Sequence, residues 1–78
     1  MGLVIRYTKR AEKFLSRQPP QIQRRIRAAI AALPYGDVKK LTGNPYFRLR
    51  VGNYRVIFDR NGNVIEIVRI DNRGQVYK

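Results

Sequence analysis

The stretch "YFRLRVGNYRVIF", residues 46 to 58, constrains the fold of this 78-residue chain more than any other. Apolar and polar side chains alternate on both sides of "GN", and a glycine in the first position of a two-residue turn suits a type II′ hairpin. That turn sets Val51 opposite Tyr54, Arg50 opposite Arg55, Leu49 opposite Val56 and Arg48 opposite Ile57. Side chains along a strand point to opposite faces in turn. Phe47, Leu49, Val51, Tyr54, Val56 and Phe58 therefore share one apolar face, which something must cover. Arg48, Arg50, Arg55 and Ile57 share the other.

The cover comes from the N-terminal half. Residues 3 to 7, "LVIRY", form a short β-rich run. Thr8 then caps a helix whose stripe is Ala11, Phe14 and Leu15. "QPP" at 18 to 20 breaks the chain, because proline donates no N–H and disfavours helix in the residue before it. Pro20 fits the first turn of a second helix. Ile22, Ile26, Ala29, Ile30 and Leu33 recur on one side of it at helical period, with Arg24, Arg25 and Arg27 on the other, facing away from the sheet. The reading is one α+β domain spanning residues 1–78, a small curled antiparallel β-sheet with two N-terminal helices packed on one face, in the order β-α-α-β-β-β. Strands are expected at 46–51, 54–59, 63–70 and 75–77. Tyr7, Tyr35 and Tyr46 read as core or loop packing.

A second turn signal, "NG" at 61 and 62, favours a type I′ hairpin. It would set Phe58 opposite Ile65, Val56 opposite Ile67, Arg55 opposite Val68 and Ile57 opposite Glu66. The arginine face then has an apolar floor of Ile57, Val64, Val68 and Ile70. Like charges directly opposite, as Arg50 and Arg55 are, destabilise a sheet. Glu66 is the nearest carboxylate in this register, and one carboxylate does not neutralise three guanidinium groups. A phosphate backbone does, since each planar fork grips two oxygens.

Global charge points the same way. Lys and Arg number 17 against 5 Asp and Glu, a net charge of +12, and 12 of the cations are arginine. Such a field draws polyanions, nucleic acid or an acidic protein, and releases counterions on contact. A chain this short buries only about 60% of its unfolded surface. It has no cysteine and no histidine, and Glu12, Asp37, Asp59, Glu66 and Asp71 lack metal-ligand spacing, so no metal or other cofactor is expected. The first charge comes at Arg6, too early for a signal-peptide core. No apolar run approaches the roughly 18 residues of a membrane span. The expected place is the cytoplasm.

"KKLTGNPYFRLRVGNYRVIF" followed by "VRIDNRGQVYK" closely resembles the RelE/ParE toxin superfamily over nearly the whole chain. The hallmark "R-L-R-V-G-x-Y-R" stands at 48 to 55 and the late "R-x-x-V-Y" at 73 to 77. The resemblance implies a toxin held inactive by a cognate acidic antitoxin. In the RelE branch it is an endoribonuclease that cleaves mRNA on the ribosome. In the ParE branch it is an inhibitor of DNA gyrase, and a basic nucleic-acid-binding module of the same fold is a third outcome. Carried over by position, Arg55, Arg48 and Tyr77 take catalytic roles and Arg50 and Arg73 contact RNA, while Lys39 and Lys40, in the loop before the arginine strand, either contact RNA or stay solvated. Many relatives carry His-Arg where this chain has "DNR". Arginine stays protonated and cannot serve as a base. Tyr77 is then the remaining candidate for proton transfer, cationic neighbours lowering its pKa from about 10. Stacking on a base is the equal alternative.

Overall fold

The structure, a computed structural model, describes residues 2–72. Strand β1 (Val4–Tyr7) leads into helices α1 (Lys9–Ser16) and α2 (Pro20–Ala31). Strands β2 (Asp37–Lys40), β3 (Phe47–Val51), β4 (Tyr54–Asn61) and β5 (Val64–Asn72) follow. They form one sheet in the order β1-β5-β4-β3-β2. The expected α+β architecture is present, with both helices on one face. Two details differ.

The sheet has an additional strand, β2, where the sequence reads as a loop holding Lys39 and Lys40. Four residues with one apolar side chain, Val38, carry no periodic signal. Short, lysine-bearing strands of this kind are typical of sheet edges. The sheet is also mixed, because β1 runs parallel to β5, pairing Val4 with Val64 and Tyr7 with Ile67. A long connection separates these two strands, so no tight turn imposes antiparallel pairing. The strand expected at 75–77 lies outside the described residues.

The core forms as the apolar stripes require. Leu15, Ile26, Ile30, Leu49, Val56, Ile65 and Ile67 are fully buried, and Phe14 and Ile22 pack against them. Thr8 caps α1, its Oγ1 accepting from Ala11 N at 3.1 Å. Pro20 occupies the first turn of α2. Phe14 meets Tyr54 edge to face at 6.1 Å, tying α1 to the start of β4.

The β3–β4 register is the one the Gly52-Asn53 turn dictates, Arg50 opposite Arg55 and Arg48 opposite Ile57. The β4–β5 register is not the expected one, for two reasons. "NGN" offers two possible turns, and the chain uses Gly62-Asn63, with Gly62 at φ 64. Phe58 therefore pairs with Ile67, and Asp59 with Glu66. A β-bulge then leaves Val68 without a partner, and beyond it Ile57 pairs with Arg69, Val56 with Ile70 and Arg55 with Asp71. The bulge is held by Thr8, whose hydroxyl donates to Val68 O at 2.7 Å while its amide donates to Ile67 O at 3.1 Å. An extra residue in one strand reverses which face the following residues occupy. Ile70 consequently joins the core, 5% exposed, instead of the floor of the arginine face. Arg69 and Asp71 take the open side.

Candidate nucleic-acid interface

Two cross-strand rows define the basic end of the open face. The first runs Asp37, Arg50, Arg55, Asp71 across β2, β3, β4 and β5, and the second runs Lys39, Arg48, Ile57, Arg69. Ile57, only 3% exposed, is the apolar floor beneath them. Val64 and Val68, expected there too, lie farther along β5. Lys39, Lys40, Leu41, Thr42, Arg48, Arg50 and Arg55 enclose a cleft of 280 Å³.

The repulsion between Arg50 and Arg55 is met from outside the pair. Asp71, not Glu66, is the counter-ion of Arg55. Its Oδ1 accepts from Arg55 Nε at 3.2 Å, and its Oδ2 accepts from Arg55 Nη2 at 3.0 Å and from Arg69 Nη1 at 2.9 Å. Asp37 lies opposite Arg50 more loosely, its carboxylate 4.0 Å from Arg50 Nε and 3.8 Å from Arg48 Nη2. Five cations (Lys39, Arg48, Arg50, Arg55, Arg69) thus face two carboxylates.

Arg48 is the most enclosed of these arginines, its side chain 11% exposed. Its Nη1 is buried without a hydrogen-bond partner among the described residues. A buried donor left unpaired costs about 1–3 kcal/mol, more when charged. An anion that reached Nη1 would remove that penalty.

The two lysines diverge. Lys39 pairs with Arg48 and shares its face. Lys40 lines the cleft, but its Nζ lies 5.5 Å from the centre of the Phe47 ring and donates to Asn44 O at 2.7 Å. That ammonium is engaged on the covered side of the sheet. Arg73 and Tyr77 lie outside the described residues. Sequence reasoning missed Asp37, Arg69 and Asp71. A usable signal was present: strict alternation along "IEIVRI" would bury Arg69 and expose Ile70, and a bulge at Val68 repairs both.

Of the helix arginines, two have structural work. Arg27 pairs with Glu12 at 2.8 Å and lies 5.0 Å from the Tyr7 ring centre. Burial pushes the Tyr7 hydroxyl above its ordinary range, the hydrogen bond to Arg27 pulling the other way. Arg25 covers the β3–β4 turn, its Nη2 2.8 Å from where a Cβ at Gly52 would sit. Gly52, at φ 58, is required by the turn, while the Arg25 guanidinium, at the end of a flexible side chain, could move aside for a Cβ. Arg24 is exposed, and so is Tyr35, at 77%.

At the other end of the same open face, Arg6, Asp59, Asn61, Val64 and Glu66 line a second cleft of 290 Å³. Among the described residues no group of His, Cys, Asp and Glu could hold a metal ion, and no helix is long and apolar enough to cross a membrane.

The basic cleft thus lies on the open face of a small sheet whose other face is backed by two helices. The family of the ParE toxin of type II toxin–antitoxin systems, parDE, matches residues 5–77, and the chain belongs to it. It is 32% identical over 80 residues to Toxin RelE3 of Methanocaldococcus jannaschii, covering 91% of each chain. Its fold is similar to the toxin in the RelE–RelB complex of Pyrococcus horikoshii OT3, with a TM-score of 0.77 and 31% identity over 96% of this chain and 99% of that one. The RelB–RelE antitoxin–toxin complex of Methanococcus jannaschii gives a TM-score of 0.74 at 31% identity, covering 92% and 94%. The protein is a RelE-like toxin of a type II toxin–antitoxin system.

Proposed function

We propose that the toxin is a ribosome-dependent mRNA endoribonuclease that acts in the cytoplasm and is held inactive by a RelB-like acidic antitoxin. One observation carries the reading: the cleft combines an arginine fixed by a carboxylate, Arg55, with a buried arginine, Arg48, whose Nη1 has no partner among the described residues. A phosphodiester satisfies both.

The chemistry needs no metal. The 2′-oxygen attacks the adjacent phosphorus, the bond from phosphorus to the 5′-oxygen breaks, and a 2′,3′-cyclic phosphate and a 5′-hydroxyl form. A proton leaves the 2′-hydroxyl and one is delivered to the leaving oxygen. Arg55 and Arg48 hold the non-bridging oxygens and stabilise charge that develops only in the transition state. Arg50, Lys39 and Arg73 orient the strand. Tyr77 is assigned proton transfer; full activity in Tyr77→Phe would assign it to base stacking instead. Lys40, with its ammonium engaged elsewhere, is not given an RNA contact here.

Relatives above 30% identity are toxins in complexes with RelB. For this chain, whose charge is +12, the matching partner is an acidic segment laid over the basic face. Its affinity is expected to weaken with added salt.

The test is induced expression followed by primer extension on mRNA. Cleavage confined to translated message is expected, and intact message during growth arrest would overturn the reading. The match to the ParE family supports a second one, inhibition of gyrase by binding alone. A supercoiling assay with the purified toxin distinguishes the two.

A further inference from the structure

Asp71 and Asp37 flank the same four-residue row, yet they hold their arginines differently. Asp37 stands 3.8–4.0 Å from Arg48 and Arg50, close enough to offset charge and too far to set an orientation. Asp71 accepts three hydrogen bonds of 2.9–3.2 Å, two of them from one guanidinium. A guanidinium has five N–H donors in a rigid plane. The side-on edge of Arg55, Nε and Nη2, is taken by Asp71. The end-on edge, Nη1 with the second Nη2 hydrogen, has no partner among the described residues and remains for a ligand.

We propose that Asp71 is a positioning residue: it pins Arg55 side-on so that the end-on edge is presented to a phosphodiester, and it fixes Arg69 alongside. The assignment rests on reading the cleft as a phosphodiester site. Without the carboxylate, Arg55 faces Arg50 directly across the strands, and mutual repulsion drives the two forks apart. A long, flexible side chain then has no single bound geometry, and small misplacements are costly in catalysis. Removing Asp71 also deletes a negative charge beside the cleft, so general attraction for RNA rises. The positioning role therefore predicts opposite signs for binding and rate.

The experiment uses the full-length toxin and its Asp71→Asn and Asp71→Glu variants, each checked for cooperative thermal unfolding. In Asp71→Asn, single-turnover cleavage of ribosome-bound message is expected to fall about 10- to 100-fold. Affinity for a non-cleavable, 2′-deoxy-substituted oligonucleotide is expected to rise roughly two- to fivefold. Asp71→Glu keeps the charge and recovers part of the rate. Rate and affinity rising together would make Asp71 a mere competitor of phosphate and overturn the proposal. Both falling together with unfolding temperature would make it structural, with the same result. A second readout does not need cleavage: the Arg55 Nε–H resonance in ¹⁵N spectra, slow to exchange in the parent and lost in Asp71→Asn. Should the parent cleave no message, the endoribonuclease reading fails while this resonance still decides the role of Asp71. Persistence of the resonance in Asp71→Asn overturns the proposal even in an active enzyme.

Discussion

At one end of the open sheet face the row runs Asp37, Arg50, Arg55, Asp71; at the other, Asp59 faces Glu66, with Arg6 beside Glu66 on β1. Both ends place like charges directly opposite each other. They resolve the conflict differently. In the first row the carboxylates bracket the cations from outside, so repulsion is contained while part of each arginine fork stays available. In the second, a cation stands at one end of the row and the acidic pair fills the rest of it. The first end carries an excess of cations, and the second an excess of carboxylates. A polyanion laid on this face is therefore expected on the β2–β3–β4 side.

The largest expected effect tests whether the covered side merely supports these ends. Ile26 is fully buried under α2, and Ile26→Ala should cost about 2–5 kcal/mol in denaturant unfolding. RNA affinity, measured where the variant is still folded, should not change. A loss of affinity in the folded variant would mean that the two sides are coupled.

Next in size is Arg55→Ala, which should lower single-turnover cleavage by roughly 100-fold or more. Arg55→Lys should recover only part, because an ammonium cannot grip two oxygens in one plane. Activity equal to the parent in Arg55→Ala would remove the distinction between the ends.

Asp59→Asn probes the acidic end. It relieves the cross-strand repulsion with Glu66 while leaving Arg6 beside that glutamate, and should stabilise the fold by about 0.2–1 kcal/mol. A destabilised Asp59→Asn would show that this end is held by more than its pairing pattern.

The smallest effect is a slope. Tyr7 has its pKa raised above 10.0, chiefly by burial. The folded state therefore holds this proton more tightly than the unfolded chain. Stability from this group is complete below the unfolded pKa and declines as pH rises from there through the folded one. Alkaline titration of unfolding free energy should show that decline, and Tyr7→Phe should flatten it. An unchanged slope would place the titration elsewhere.

How much of this was legible depended on how firmly each turn is specified. Gly52-Asn53 allows one hairpin, and from it the pairing of Arg50 with Arg55 and the entire covered face followed. The helical stripe of Ile22, Ile26 and Ile30 was equally plain. "NGN" at 61–63 allows two hairpins and was read as the wrong one. The other turn brings Glu66 closest to Arg55, in the place that Asp71 holds. The edge strand Asp37–Lys40 escaped because one valine among polar residues has no period, so Asp37 went unassigned. The basic character of the site survived these errors, since Arg48, Arg50 and Arg55 all sit on the correctly registered hairpin.

The bulge at Val68 means that β5 is written in two reading frames. Residues before it alternate in one phase and residues after it in the other, much as codons do on either side of an inserted base. Removing Val68 alone would restore one frame throughout and leave Arg69, Ile70 and Asp71 on their present faces, whereas losing any other residue of β5 would reverse the side chains beyond it. Loops tolerate such length changes and strands seldom do. In this strand the tolerance is concentrated at one position, and the hydroxyl of Thr8 marks it. A comparison of this chain with a relative that lacks the extra residue keeps the faces of the sheet aligned when its gap falls at Val68.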